Sequence, residues 1–156
     1  MSNKKKNTLG KSDNYEKNSK NEEDCSLETK NGFVNLVGIW ESSAVTAYPK
    51  DNKIFDNGYS REDTKIIITK QKENLLWGIT KWKLNGSEKY NTENFTGTFH
   101  TSDEFWLVES IPAPENGGPG LFQGKLISKN KILLTYLGVG LGFSSTAVYK
   151  RVKYDN

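Results

Sequence analysis

Residues 75–99, LLWGITKWKLNGSEKYNTENFTGTF, decide the fold class. Short runs of β-branched and aromatic residues alternate here with Gly and Asn, and no helical spacing of apolar positions runs through them. They read as two strands, Leu75 to Leu84 and about Tyr90 to Thr101. Asn85-Gly86 between them is the strongest hairpin signal in the chain, because a type I′ turn wants positive φ at both central residues. The two strands must therefore pair antiparallel. On the second of them Phe95 and Phe99 share a face, with Gly97 between.

The same pattern extends in both directions. Upstream, a first strand runs from Val34 to Ala47 with a bend near Glu41, Ser42 and Ser43. A long polar connection from Tyr48 to Asp63 follows, carrying Pro49 and the turn signals Asp51-Asn52 and Asp56-Asn57-Gly58. The second strand, Thr64 to Gln71, contains Ile66-Ile67-Ile68-Thr69, and Lys72-Glu73-Asn74 turns into the third. Downstream, Ser102-Asp103 leads into a fifth strand, Phe105 to Ser110. The segment Ile111 to Gly120, with three prolines and three glycines, separates it from a sixth, Leu121 to Ile127. Ser128 to Asn130 turns into a seventh, Lys131 to Gly138, and the glycine run Gly138-Val139-Gly140-Leu141-Gly142 leads to an eighth, Phe143 to Val152. Eight consecutive strands with mostly short links predict an all-β domain, a single antiparallel up-and-down eight-stranded β-barrel whose closure removes exposed sheet edges. A seven-stranded or split sandwich is the competing architecture.

Composition divides the chain of 156 residues in two, because residues 1–31 hold one of its 18 aromatic side chains, Tyr15, and the rest hold 17. The first part has seven lysines, six acidic residues and five apolar ones, too few to offset the entropy of ordering, so 1–31 reads as a disordered polar tail and 32–156 as one domain. The net charge of +3 splits into +1 and +2 with the signs interspersed, which predicts neither a nucleic-acid partner nor an anionic membrane. Lys4 to Lys6 lead into a polar stretch, not the apolar core of an export signal, and the most apolar run, ILLTYLGVGLGF at 132–143, is cut by three glycines. A cytoplasmic location is expected. Cys25 is the one cysteine and His100 the one histidine, so neither a disulfide within the chain nor a transition-metal site is expected, and no cofactor is called for.

The domain opens with Leu36-Val37-Gly38-Ile39-Trp40 and closes with Tyr149-Lys150-Arg151-Val152. Gly-x-Trp on the first strand of such a barrel resembles the calycin group, the lipocalins and avidins, and Phe95-Thr96-Gly97-Thr98-Phe99 is similar to a Gly-Thr-aromatic strand of avidins. The lipocalin Thr-Asp-Tyr box is absent. The resemblance covers the barrel plan and both ends of the domain, and it implies a structural plug in which Arg151 or Lys150 packs over the ring of Trp40. A looser similarity, carried by the architecture and by the Gly-rich segment before Leu121-Phe122-Gln123-Gly124, is to allene oxide cyclase-type barrels, which implies a cofactor-independent cyclase or isomerase.

Eight strands enclose an interior that side chains fill or that holds one small ligand, and both stay open here. Most of the strand aromatics read as core, with a pocket at one mouth lined from Trp82, Phe99, Trp106, Phe122 and Tyr136. On the third strand Trp77 and Ile79 face one way and Leu76, Trp82 and Leu84 the other, so both faces are apolar. Either a loop or a second subunit covers the outer face, giving a homo-oligomer, or a bulge near Gly78 shifts the alternation. His100 reads as a solvated strand-end residue. Phe105, Leu107 and Glu109 alternate on one face, so Glu109 is either a desolvated acid with a raised pKa or a mouth residue paired with a Lys or Arg. The three longest connections could form a lid over the mouth. Two functions follow: a module binding a small apolar or aromatic molecule, or a cyclase or isomerase in which Glu109 and Tyr136 are catalytic.

Overall fold

The structure, a computed structural model, describes residues 32–49, 58–110, 119–138 and 142–152. The tail expected at 1–31 lies outside the described residues, as do 50–57, 111–118 and 139–141 of the three connections, Tyr48 to Asp63, Ile111 to Gly120 and Gly138 to Gly142, expected to form a lid. The strands are β1 (Gly38–Ala47), β2 (Tyr59–Lys72), β3 (Leu75–Leu84), β4 (Asn91–Phe99), β5 (Glu104–Glu109), β6 (Gly120–Ser128), β7 (Lys131–Gly138) and β8 (Phe143–Arg151). Each pairs antiparallel with the next, and β8 returns to β1, so the sheet closes into an eight-stranded barrel. The sandwich alternative is thereby excluded. The β1–β8 seam pairs Trp40–Glu41 with Lys150–Arg151 and Thr46–Ala47 with Ser144–Ser145. Between these two stretches, Ser42 patches the seam by donating its hydroxyl to the Val148 carbonyl at 2.9 Å.

Strand ends differ from the sequence reading where the interior is polar or the chain leaves the wall. β2 begins at Tyr59, five residues before Thr64, because Ser60, Glu62 and Thr64 face inward and make this half of the strand look like a loop. β1 begins only at Gly38, and the chain before it crosses the end of the barrel, burying Leu36 completely. The Asn85-Gly86 turn is not type I′. Only Gly86 takes positive φ, as a type II turn requires, and Ser87 N–H closes it onto the Leu84 carbonyl at 2.9 Å. Six residues, 85–90, link the ends of the two strands, the last register pair is Trp82 with Asn91, and outside the wall Tyr90 lies near both Lys83 and Lys65. β3 keeps its alternation without a bulge at Gly78. The register shift lies instead on β2, between Ile68 and Lys70, and it turns Gln71 toward the crossing segment, whose Leu36 N–H it accepts and whose Val34 carbonyl it donates to.

One end of the barrel is a packed floor. Leu36, Trp40, Ile68, Leu76, Phe105 and Ile132 are all buried there, and Phe99 stacks against Phe33 and Phe105. Trp40 Nε1 donates to the Leu36 carbonyl at 2.9 Å. The Arg151 guanidinium lies 4.4 Å from the Trp40 ring centroid and donates to the Asn35 carbonyl at 2.7 Å, so of the two candidate plug cations it is Arg151 that packs on the indole. Lys150 is exposed on the outer face. Packing aromatic rings into so narrow a barrel needs room on the facing strand. Gly124 supplies it for Phe105, since a Cβ at 124 would sit 2.3 Å from the Phe105 ring.

Two substitutions test this floor. Arg151→Ala removes the cation and its hydrogen bond and lowers unfolding stability by about 1–2 kcal/mol, whereas Lys150→Ala changes it by less than about 0.5 kcal/mol. Equal losses in urea titrations would refute the assignment. Gly124→Ala drives a methyl into a ring that has nowhere to move and costs about 1–3 kcal/mol by the same measurement.

Candidate functional site

The opposite end, where β1 ends and β2 begins, receives the long connections and has a different lining. Strand alternation sends Thr46, Ser60, Glu62, Thr64, Thr80, Glu93 and Glu109 inward in this mouth half. Every Lys and Arg of β2, β3, β6 and β7 falls on the other face, and Arg151 on the floor is the one inward cation among the described residues.

Glu109 is only 3% exposed. It pairs in register with Phe95, which makes Glu93, two residues nearer the mouth, its diagonal neighbour on the same face. The two carboxyls are near enough that Glu93 acts directly on the Glu109 pKa. Gly120 N–H donates to Glu109 Oε2 at 3.1 Å and the Tyr136 hydroxyl to the same oxygen at 3.3 Å. A Cβ at Gly120 would lie 2.0 Å from the Tyr136 ring, so this glycine is what lets the phenol lie flat on the wall and reach Glu109. Burial first, then the nearness and negative charge of Glu93, push the Glu109 pKa up to about 8, against smaller opposing pulls from Thr80 and Gly120. At neutral pH the pair therefore holds a proton.

Thr80 is the register partner of Glu93 and is 1% exposed. Its hydroxyl is near enough to Glu109 to draw that pKa down slightly, yet it makes no hydrogen bond of proper geometry, and neither does the equally buried Thr46 hydroxyl. Nearer the rim Glu62 is already served, since Ser60 donates to it at 2.9 Å and the Tyr48 hydroxyl also donates to it. Burial raises the pKa of Tyr136, with the charges of Glu109 and Glu93 adding to it, and burial likewise raises those of Tyr48 and Tyr149. All three phenols remain protonated donors.

Of the residues singled out from sequence, Glu109, Tyr136, Phe122 and Trp82 face this half. The Phe122 and Tyr136 rings lie 4.6 Å apart, and Trp82 pairs with Thr64 across β2. Phe99 faces inward but belongs to the floor, away from the mouth. Trp106 is not a lining residue: Phe105, Leu107 and Glu109 take the inward positions of β5, which puts Trp106 outside, 6.0 Å from the ring of exposed His100. The pairing of Glu109 with a Lys or Arg does not occur among the described residues. The outer face of β3 forms an open groove of about 560 Å³ lined by Trp77, Ile79, Thr96 and Val108. Thr46, Glu62, Thr80 and Glu93 were not read as site residues, although the spacing Ser60-x-Glu62-x-Thr64-x-Ile66 and Glu93-x-Phe95 carries the inward period. Among the described residues no three acidic, His or Cys side chains converge as metal ligands. Comparison with protein-family models, curated proteins and solved structures finds no match.

A carboxyl with a folded pKa above its unfolded value keeps a proton that the unfolded chain has released. Stability from Glu109 is therefore full below about pH 4.5 and is lost as pH rises toward about 8, at up to roughly 1.4 kcal/mol per pH unit. Glu109→Gln copies the protonated form and flattens most of this slope. Urea midpoints across that range check it, and parallel slopes in the two proteins would contradict the shared proton.

Proposed function

We propose that this chain is a small-molecule-binding barrel whose ligand occupies the mouth half, with an apolar or aromatic body against Trp82, Phe122 and Tyr136. The observation that carries this reading is the division of the interior into a filled apolar floor and a mouth half whose buried Thr46 and Thr80 hydroxyls have no partner. An unmet buried polar group costs about 1–3 kcal/mol, and a ligand that supplies the missing bond recovers it. The inward residues there are small, as at Ala44, Thr46, Ser60, Thr80 and Ser145, and Tyr136 and Phe143 lie back on Gly120 and Gly138 instead of crossing the lumen. A wholly apolar ligand suits this lining less well than one that also carries a polar group.

A second reading, a cofactor-independent cyclase or isomerase, is favoured by Glu109 itself. It is a buried acid without a cation, protonated near neutral pH and hydrogen-bonded by a phenol, which suits proton transfer to or from a bound substrate.

Native mass spectrometry of the gently purified chain tests binding. A bound small molecule is expected, and Ser145→Trp, which narrows the mouth, is expected to abolish it. Wild-type protein that carries no added mass after exposure to extracts of its source cell counts against the proposal. The enzymatic reading further requires that the recovered molecule is converted on incubation and that Glu109→Gln stops conversion while retaining binding.

A further inference from the structure

We propose that the ligand of the mouth half is an organic cation, a primary or secondary amine on an apolar or aromatic body, with its ammonium group seated between Glu93 and Glu109 beside the Thr80 hydroxyl. This rests on the binding reading above and names its ligand class.

Three acceptors converge at that position. Thr80 and Glu93 are register partners on β3 and β4, and Glu109 is the diagonal neighbour of Glu93 from β5. A primary ammonium has three N–H donors, and it is the group that meets all three acceptors at once. The buried, unpartnered Thr80 hydroxyl is the independent sign that something is missing there, because the Glu93–Glu109 contact alone would explain an acid pair sharing a proton.

The surrounding charge points the same way. The groups facing the pair are Tyr136 from β7 and the Gly120 N–H from β6, with Glu62 from β2 and Tyr149 from β8 further off. All the titratable ones are acidic or phenolic, and the inward cation, Arg151, is at the far end under Trp40. An anionic ligand would be repelled by this lining. A neutral alcohol would meet Thr80 with a single O–H donor and bring no positive charge to a pair that is anionic even while it shares a proton. An ammonium replaces the shared proton and neutralises the charge it leaves behind. Binding therefore releases a proton below about pH 8, so affinity for an amine that stays protonated rises with pH up to that point, by up to about tenfold per unit.

Isothermal titration of the full chain with three probes of similar shape decides the matter: 2-phenylethylamine, 2-phenylethanol and 3-phenylpropionate, at about pH 6 and about pH 8. The amine is expected to bind at least about tenfold more tightly than the other two, to tighten at the higher pH, and to show proton release in buffers of differing ionisation enthalpy. Glu93→Gln and Glu109→Gln should each weaken the amine by about tenfold and leave the alcohol unaffected. Thr80→Val, which keeps the shape of the side chain and both carboxyls, should weaken the amine a few-fold and guards against a folding defect in the acid variants. Equal binding of amine and alcohol overturns the cation proposal and leaves the pocket standing. Failure of all three probes to bind, with circular dichroism confirming the barrel, overturns both.

Discussion

Aromatic rings lying on facing glycines decide how the interior of this barrel is used. Phe95 lies over Gly78, Phe105 over Gly124, Tyr136 over Gly120 and Phe143 over Gly138, each close enough that a Cβ would collide with the ring. Eight strands enclose an interior only just wide enough for side chains, so a ring projecting across it would meet the opposite wall. A glycine on the neighbouring strand removes that conflict. In the floor half the rings that lie down are joined by Leu, Ile and Trp side chains that fill the remaining space. In the mouth half they face Thr, Ser and Ala, so the same device packs one end with large apolar side chains and sets small ones opposite the rings at the other. It also aims chemistry, because Tyr136 reaches the Glu109 carboxyl only by lying across Gly120.

Much of this was legible from residue order, for reasons that can be stated strand by strand. Turn chemistry between short β-branched and aromatic runs placed all eight strands, and β3 and β7 matched to the residue. The start of β2 was not legible because its inward face is polar. Ser60-Arg61-Glu62-Asp63 looks like a loop until the barrel closes around it, and then the alternating Ser and Glu become a wall. Glu109 was legible through its alternation with Phe105 and Leu107, and the same alternation rules out Trp106, whose aromatic character alone says nothing of its parity. Glu93 was not legible. Its place beside Glu109 depends on the register of β3, β4 and β5, and a turn whose residues fit two types does not fix that register. The partnership of Trp40 with Arg151 was reached only through a resemblance, since nothing in their spacing brings positions 111 residues apart together.

The barrel keeps its interior charges apart by length. Arg151 is held at the floor by an indole face and a carbonyl, while the acids lie toward the mouth. Had the guanidinium been placed beside Glu109, the pair would be a buried salt bridge. Separating them leaves the acid pair to be neutralised by a proton alone, at a cost in stability that grows with pH. Such a cost at a site that packing could have filled with apolar residues is what a functional constraint leaves behind.

Depth then distinguishes the acids from one another. Glu62 meets solvent first, but Ser60 and Tyr48 already donate to it, so little demand remains for a ligand to meet. Glu109 takes one backbone donor and one long phenolic one on a single oxygen, and what remains of its capacity is turned toward Glu93. The partnerless Thr80 hydroxyl stands at the same level. The unmet hydrogen-bonding capacity therefore lies deep, past the aromatic wall and above the floor. Under the proposed binding role, a ligand would have to bury its body to satisfy it, so shape and charge would be selected together.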